Sequence, residues 1–294
     1  MSTNTITRLL VGLLLVAVPG AVACGGGEAP SASDSAAEAP QQASLKLYIF
    51  ECGRIRVDTL ERFSIGDDET DVRELVVPCY IVDHPEGRML WDGGLPSAIA
   101  ETDGWEGNTR LEQTLAGQLA DYDLGFNLGS LDYVAFSHIH YDHIGVANEV
   151  TGATWLVQQG DFEAAFADPV TVPAVQPELY ENLRDADRLI LNGDHDVFGD
   201  GRVRIIAAPG HTPGHQVLFL DLADTGPLVL SGDLYHFRIS REDRRVPTFN
   251  VDPQMTLESM ARVEAFVAAR NATFWIEHDL ALFETLRKAP LFYD

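Results

Sequence analysis

The sequence predicts an α/β chain in which two sheets pack together with helices on the outside. Two observations carry this. From residue 45 onward, short apolar runs of strand length meander and then give way to helical patterns, and this happens twice over. The residues best suited to chemistry come directly after such runs, so strand ends carry the site.

Taken in order, residues 45–50 open as a strand. Residues 75–77, 80–82 and 89–91 follow as a meander, with a turn at Pro85-Glu86-Gly87, and Asp92-Gly93-Gly94 begins a loop. Thr109-Arg110-Leu111-Glu112 has the form of a capping box, and Leu111, Leu115 and Leu119 fall on one helical face. Residues 133–136 are a short buried strand and 154–157 another, followed by helical sequence around 162–166. The stretch 168–187 is Pro-rich and irregular, then helical. Strands at 188–191, 203–207, 217–220 and 228–230 rebuild a sheet. Asp252-Pro253 starts a helix with Met260, Val263 and Val267 on its apolar face and Asn271 as its stop. Residues 273–276 are the last strand, ending in Glu277-His278-Asp279.

Residues 1–44 stand outside this pattern. Arg8 precedes the apolar run 9–18, which has signal-peptide length and is too short to span a bilayer comfortably. Ala21-Val22-Ala23 supplies small residues for cleavage and Cys24 follows at once, so 1–23 resembles a bacterial lipoprotein signal with Cys24 as the lipidated first residue. Ala21 stands where such signals favour Leu, and the same residues fit ordinary signal peptidase. Either way the mature chain is expected to start at Cys24 and be exported, with a membrane contact only through lipid. Residues 24–44 lack any aliphatic run and read as a flexible tether, leaving 45–294 as one large domain. Export permits a disulfide between Cys52 and Cys79; two buried free thiols are the other arrangement open to them.

Forty-five acidic residues face 20 basic ones, and Lys46 and Lys288 are the only lysines. With no basic stripe, nucleic acid is excluded as a partner. An anionic substrate is repelled at long range, so a small neutral molecule fits. The acids are spread along the chain, which suits a solvated surface and is compatible with salt adaptation.

Three histidines and a carboxylate crowd into His138-Ile139-His140-Tyr141-Asp142-His143, straight after the 133–136 strand. Imidazole and carboxylate are the usual ligands of a borderline divalent ion. Four such groups on so short a loop serve two neighbouring ions better than one. His211, Asp233 and His278 each follow a short apolar strand, and with a common strand direction they arrive at the same edge. Gly210, Gly214 and Gly232 allow the tight turns this needs. Five histidines and two aspartates then suffice for two ions with open positions. Of the other histidines, His84 reads as a surface residue, His195 as a loop residue and His215 as a structural hydrogen-bonder under the His211 loop.

These residues resemble the metallo-β-lactamase superfamily, an αββα four-layer sandwich with a two-metal edge. Lys46-Leu47-Tyr48, Trp91-Asp92-Gly93-Gly94, 209–216 and His278-Asp279 resemble its N-acyl-homoserine lactonase branch. The resemblance implies His138, His140 and His211 on one metal, Asp142, His143 and His278 on the second, and Asp233 bridging. Zn²⁺ is the expected ion, with Co²⁺, Mn²⁺ or Fe as substitutes. It further implies an exported lactonase in which the two ions activate water and polarise the lactone carbonyl, with Asp142 passing a proton to the leaving alkoxide. A phosphotriester, aryl ester or thioester hydrolase on the same site is the second reading, and a metal- or ligand-binding lipoprotein without turnover the third. Pocket walls are expected from 60–75, 95–108 and 235–250, including Trp105, Phe237 and Phe249.

The lactonase branch carries a tyrosine three residues after the bridging aspartate. Here the order is Asp233-Leu234-Tyr235-His236, so Tyr235 comes one position early and His236 holds the expected place. Register favours His236 as the donor to the substrate carbonyl, because one step along an extended chain reverses side-chain direction.

Labelled fatty acid should be incorporated at Cys24, and Cys24→Ala should release a soluble enzyme with unchanged turnover, since the tether separates the anchor from the domain. Wild type that partitions with water-soluble exported proteins and carries no lipid would mean that ordinary cleavage wins.

Overall fold

A computed structural model describes residues 44–294. The expected signal, Cys24 and, apart from Ser44, the expected tether lie outside the described residues. The elements are β1 (Lys46–Arg56), β2 (Glu74–His84), β3 (Gly87–Trp91), β4 (Thr109–Arg110), α1 (Leu115–Tyr122), β5 (Tyr133–Ala135), β6 (Thr154–Gln158), α2 (Gln159–Ala165) and β7 (Arg188–Leu191). There follow β8 (His195–Asp196), β9 (Val203–Ala207), β10 (Gln216–Leu222), β11 (Gly226–Leu230), α3 (Arg238–Asp243), α4 (Pro253–Arg270), β12 (Thr273–Trp275), α5 (Leu280–Thr285) and β13 (Phe292–Tyr293).

One sheet runs β13-β1-β2-β3-β5-β6-β7 with β4 beside β1, and the other runs β12-β11-β10-β9-β8. Alternation along β2 explains the layers. Tyr80 and Val82 point inward with Leu47, Ile49 and Trp91, and meet Ile205, Leu218 and Leu230 of the second sheet. Cys79 and Ile81 point outward into a cluster with Leu115 and Leu119 of α1 and Ala164 and Ala165 of α2. On the far side, Val217, Phe219 and Val229 pack on Met260, Val263 and Val267 of α4. With both faces covered, the strands need no polar alternation and read as continuous apolar runs. The order of layers is αββα, as the sequence led one to expect.

Strand direction positions the site. β9 and β11 are each antiparallel to β10, and β12 is parallel to β11, so β9, β11 and β12 end at one edge. These are the strands whose ends lead to His211, Asp233 and His278. In the first sheet β3 and β5 are parallel, so Asp92 and the 138–143 loop leave from a common edge as well.

Several elements differ from expectation. The runs 75–77 and 80–82 are one strand, because Pro78 sits opposite Glu51 beside a register shift in β1 where its missing donor is tolerated. Thr109 caps no helix: it pairs with Ile55 at the open side of β1, and α1 starts later, capped by the Thr114 hydroxyl accepting from Gly117 N–H at 3.1 Å. Leu111, Leu115 and Leu119 are buried all the same. The helix expected within 168–187 is reduced to two single turns, Pro177–Leu179 and Glu181–Arg184. His84 is buried rather than on the surface, stacked on Phe198 at 4.1 Å with Nε2 3.0 Å from Asp200. His195 pairs with Ile205 in a short strand. Cys52 and Cys79 are joined as a disulfide. Among the described residues no helix is long and apolar enough to cross a membrane.

The disulfide packs against Gly94, whose φ is +67° and where an added Cβ would lie 2.3 Å from Cys52 Cβ and 3.0 Å from Cys79 Sγ. Gly94 also ties the first sheet to the histidine loop, its carbonyl accepting from Gly145 N–H at 2.8 Å. Gly94→Ala should therefore destabilise the fold by about 2 kcal/mol or more in urea unfolding. A variant within about 0.5 kcal/mol of wild type would show that this corner yields freely.

Candidate metal centre

The 138–143 loop is held from below by the loop after β3. Gly93 N–H donates to the His143 carbonyl at 2.5 Å, and Asp92 Oδ1 accepts from Ser137 N–H at 2.6 Å. The opposite side is held by α2. Asp161, fully buried, accepts from Thr212 Oγ1 at 2.8 Å and from Gly214 N–H at 2.6 Å, so it clasps the turn that presents His211. Burial pushes the Asp161 carboxyl up to about 6, against the pull of those two donors. His215 works as the sequence implied: its Nδ1–H donates to the Ala208 carbonyl at 2.9 Å, and its Nε2 accepts from Asp233 N–H at 3.0 Å.

On this frame two groups of donor atoms adjoin. His138, His140, His211 and Asp233 form one; Asp142, His143 and His278 form the other. In the first, His138 Nε2, His140 Nδ1 and His211 Nε2 lie 2.8–3.1 Å from one another. Two nitrogens each about 2.0–2.1 Å from a tetrahedral ion stand about 3.3 Å apart, so the set is close to the spacing of three ligands on one ion. The Asp233 carboxylate faces both groups. Its Oδ2 is 3.1 Å from His211 Nε2 and 3.5 Å from His138 Nε2, while Oδ1 is 2.9 Å from His278 Nε2 and 3.3 Å from His143 Nε2. Asp142 Oδ2 is farther, 3.8 Å from His143 and 3.9 Å from His278.

The donor set fits divalent ions on two counts. His143 Nε2 and Asp233 Oδ1 are buried, face each other and lack a hydrogen-bond partner, a costly state that a shared cation relieves. The far nitrogens are meanwhile fixed: His138 Nδ1 on Ser137 Oγ, His143 Nδ1 beside Asp92, His211 Nδ1 on Asn250 Oδ1 and His278 Nδ1 on the Val76 carbonyl. Such partners orient ligating imidazoles. Burial holds His138 and His140 well below the usual imidazole range, in the neutral form that ligates. Burial opposes charge on His143 too, but Asp233, Asp92 and Asp142 outweigh it and raise that imidazole. Asp233 itself is pushed up by burial, and the surrounding imidazoles, His236 and His143 foremost, more than reverse this and hold it well below the carboxylate range.

His236 and Tyr235 part company. Tyr235 is extended at φ −145° and ψ 135°, so its neighbour points the other way. The Tyr235 ring is buried in the outer cluster with Met260 and Val263, 5.9 Å from Phe274, and does not reach the donor groups. His236 does, with Nε2 3.0 Å from Asp233 Oδ2. A cavity of about 400 Å³ opens here, walled by Arg62, Phe63, Tyr141, Asp142, His236 and Phe249. Of the expected walls, 95–108 contributes only Asn108, while 55–59 and Pro173-Ala174 enter unforeseen. Trp105 lies instead over Arg56 at 3.7 Å, and Phe237 lines an adjoining cavity of about 590 Å³.

Sequence reasoning missed two carboxylates. Asp92 and Glu277 are buried behind His143, with Oδ2 and Oε1 3.2 and 3.7 Å from its Nδ1. Burial, then the neighbouring Asp92 charge, raises Glu277 well above the carboxylate range. The signal was available, since Asp92 directly follows β3 and Glu277 comes two residues after β12, the strand-end rule that located Asp233.

Comparison with known proteins agrees with this geometry. The family profile described as Metallo-beta-lactamase superfamily matches residues 72–269. The N-acyl homoserine lactonase AiiA of Bacillus thuringiensis subsp. kurstaki is 28% identical over 256 residues, covering 83% of this chain and 97% of its own. The N-acyl homoserine lactonase AttM of Rhizobium radiobacter is 28% identical over 272 residues, covering 85% and 98%. A solved N-acyl homoserine lactone hydrolase, with the product N-hexanoyl-L-homoserine at its catalytic metal centre, superposes with a TM-score of 0.70 at 27% identity, covering 85% of this chain and 99% of that one.

If Asp161 fixes the His211 turn, Asp161→Ala should weaken zinc binding about 10–100-fold, the usual cost of losing an outer support. Competition with a chromophoric chelator measures this. An unchanged affinity in a folded variant would show that the Gly210 and Gly214 turns hold His211 unaided.

Proposed function

We propose, from the premise that this chain belongs to the metallo-β-lactamase superfamily as a metal-dependent hydrolase, that it opens the lactone ring of N-acyl homoserine lactones. The observation that carries the reading is the two-sided Asp233 carboxylate set between two imidazole groups at the joined sheet edges. Whole-length likeness to AiiA and AttM supports the lactone in particular. His138, His140 and His211 would hold one divalent ion, Asp142, His143 and His278 the other, and Asp233 both, with zinc the expected metal. Two such ions, when bound, supply Lewis acidity and lower the pKa of water.

The chain's own residues do the rest. Phe63 and Phe249 give the cavity an apolar wall for the substrate's side arm. Asp142 lines that cavity with its carboxylate largely buried, placed to take the proton of the attacking water and give it to the ring oxygen as the C–O bond breaks. His236, in the same wall, donates to the carbonyl oxygen as negative charge gathers there. Export through residues 1–23 and a lipid on Cys24 complete the reading. They would put the activity outside the cytoplasm.

Purified protein should add one water to N-acyl homoserine lactones, seen by mass, and contain close to two ions per chain. A chelator should abolish this, and Zn²⁺, Co²⁺ or Mn²⁺ should restore it. Turnover of a phosphotriester, aryl ester or thioester with no lactone opening would overturn the substrate, and full activity in verified metal-free protein would overturn the mechanism. His236→Ala should lower lactone turnover about 10²–10³-fold with metal content intact, and Tyr235→Phe should cost little. A large loss confined to Tyr235→Phe would refute the assignment of the donor.

A further inference from the structure

Resting on the lactonase reading, we propose that Arg62 determines which side arm the lactone carries, by donating hydrogen bonds to a carbonyl oxygen on that arm. Arg62 lies in the wall of the 400 Å³ cavity together with His140, Tyr141, Asp142 and His236. Its guanidinium stacks over Phe249 at 4.5 Å and lies 5.7 Å from the Phe63 ring. Phe249 in turn is 5.6 Å from His236 and 5.8 Å from His211. One aromatic ring therefore separates the guanidinium from the donor groups.

Arg62 has no ion-pair partner among the described residues. Four other arginines are paired: Arg56 with Glu74, Arg73 with Asp67, Arg238 with Asp279 and Arg245 with Glu69. Among the described residues no carboxylate comes within ion-pair distance of Arg62, in a chain with 45 acidic residues. A guanidinium over an aromatic ring with no carboxylate in reach has N–H groups left for an acceptor. The backbone there is pinned independently, the Arg62 carbonyl accepting from Thr248 N–H at 2.8 Å and Thr248 Oγ1 at 3.2 Å. A side-chain change leaves that anchor in place.

The position suits an acceptor a few bonds from the reacting carbonyl. With the ring carbonyl at the donor groups, an amide or keto oxygen on the arm falls about one ring's width away, beside the guanidinium. An anionic arm fits less well, because Asp58, Asp142 and Asp233 line the same cavity. The acceptor is thus a neutral carbonyl; with a plain alkyl arm the exposed Arg62 guanidinium keeps water instead, so the preference is modest.

The test compares N-octanoyl homoserine lactone with its analogue in which two methylenes replace the arm's amide. Both are assayed on zinc-loaded wild type, Arg62→Met and Arg62→Lys, with thermal melting as a check on folding. Wild type should prefer the amide about tenfold in kcat/KM, and Arg62→Met should bring the two substrates within about twofold, chiefly through KM, as expected for lost binding. Arg62→Lys, which keeps a point charge without the planar fork, should fall between them. A wild-type preference preserved in Arg62→Met would overturn the assignment while leaving the lactonase reading intact. Failure of wild type on both lactones would sink the lactonase reading, and this assignment with it.

Discussion

A single buried carboxylate organises the molecule. Asp233 has five imidazoles within 3.5 Å, those of His138, His143, His211, His236 and His278. A carboxylate taken out of water costs several kcal/mol unless it is paired and hydrogen-bonded. Asp233 can stay ionised only if loops from both sheets bring their histidines to it. The rest of the architecture serves that convergence. β9, β11 and β12 must end at one edge, and the loop after β5 must close over it.

Convergence of side chains requires that the backbones carrying them do not drift. Three independent clasps see to this: Gly93 and Gly94 on the 138–145 loop, Asp161 on the His211 turn, and His215 on the Asp233 backbone. Each clasp uses a close approach. At Gly145 an added Cβ would stand 2.2 Å from the Leu95 backbone, and at Gly214 one would stand 2.4 Å from Asp161 N. Glycine at these points is a packing requirement. The same tightness makes the orphaned atoms between the clusters informative, since little slack exists for them to find other partners.

The clustered donor set was legible because each member follows an apolar run, and a strand end projects its next residues toward a common edge once direction is shared. The layers were legible for a related reason: sheets covered on both faces lose their polar alternation. Legibility failed where a choice depended on a distant partner. Thr109 has a good capping spacing, but the open side of β1 offered it a ladder instead. His84 looked exposed beside a turn until Phe198, more than a hundred residues away, supplied a ring to stack on. Asp92 and Glu277 obey the strand-end rule, yet they act behind His143, and nothing local distinguishes a ligand from its support. The disulfide was undecidable for the same reason, because proximity of Cys52 and Cys79 comes from the pairing of β1 with β2.

Charge links the site to the surface. Asp92, Asp142 and Asp233 bring three carboxylates to the centre, and burial, then the neighbouring Asp92 charge, raises Glu277 beside them well above the carboxylate range. Two divalent ions would bring four positive charges, so the occupied centre sits close to balance inside a protein of net charge −25. A neutral lactone meets no long-range barrier on the way in. The proposed reaction would leave a hydroxy acid whose carboxylate is repelled by the acidic surface over roughly a Debye length, about 8 Å at physiological salt. On the proposed lactonase reading, the excess of acids would thus favour entry of the ester and departure of the acid.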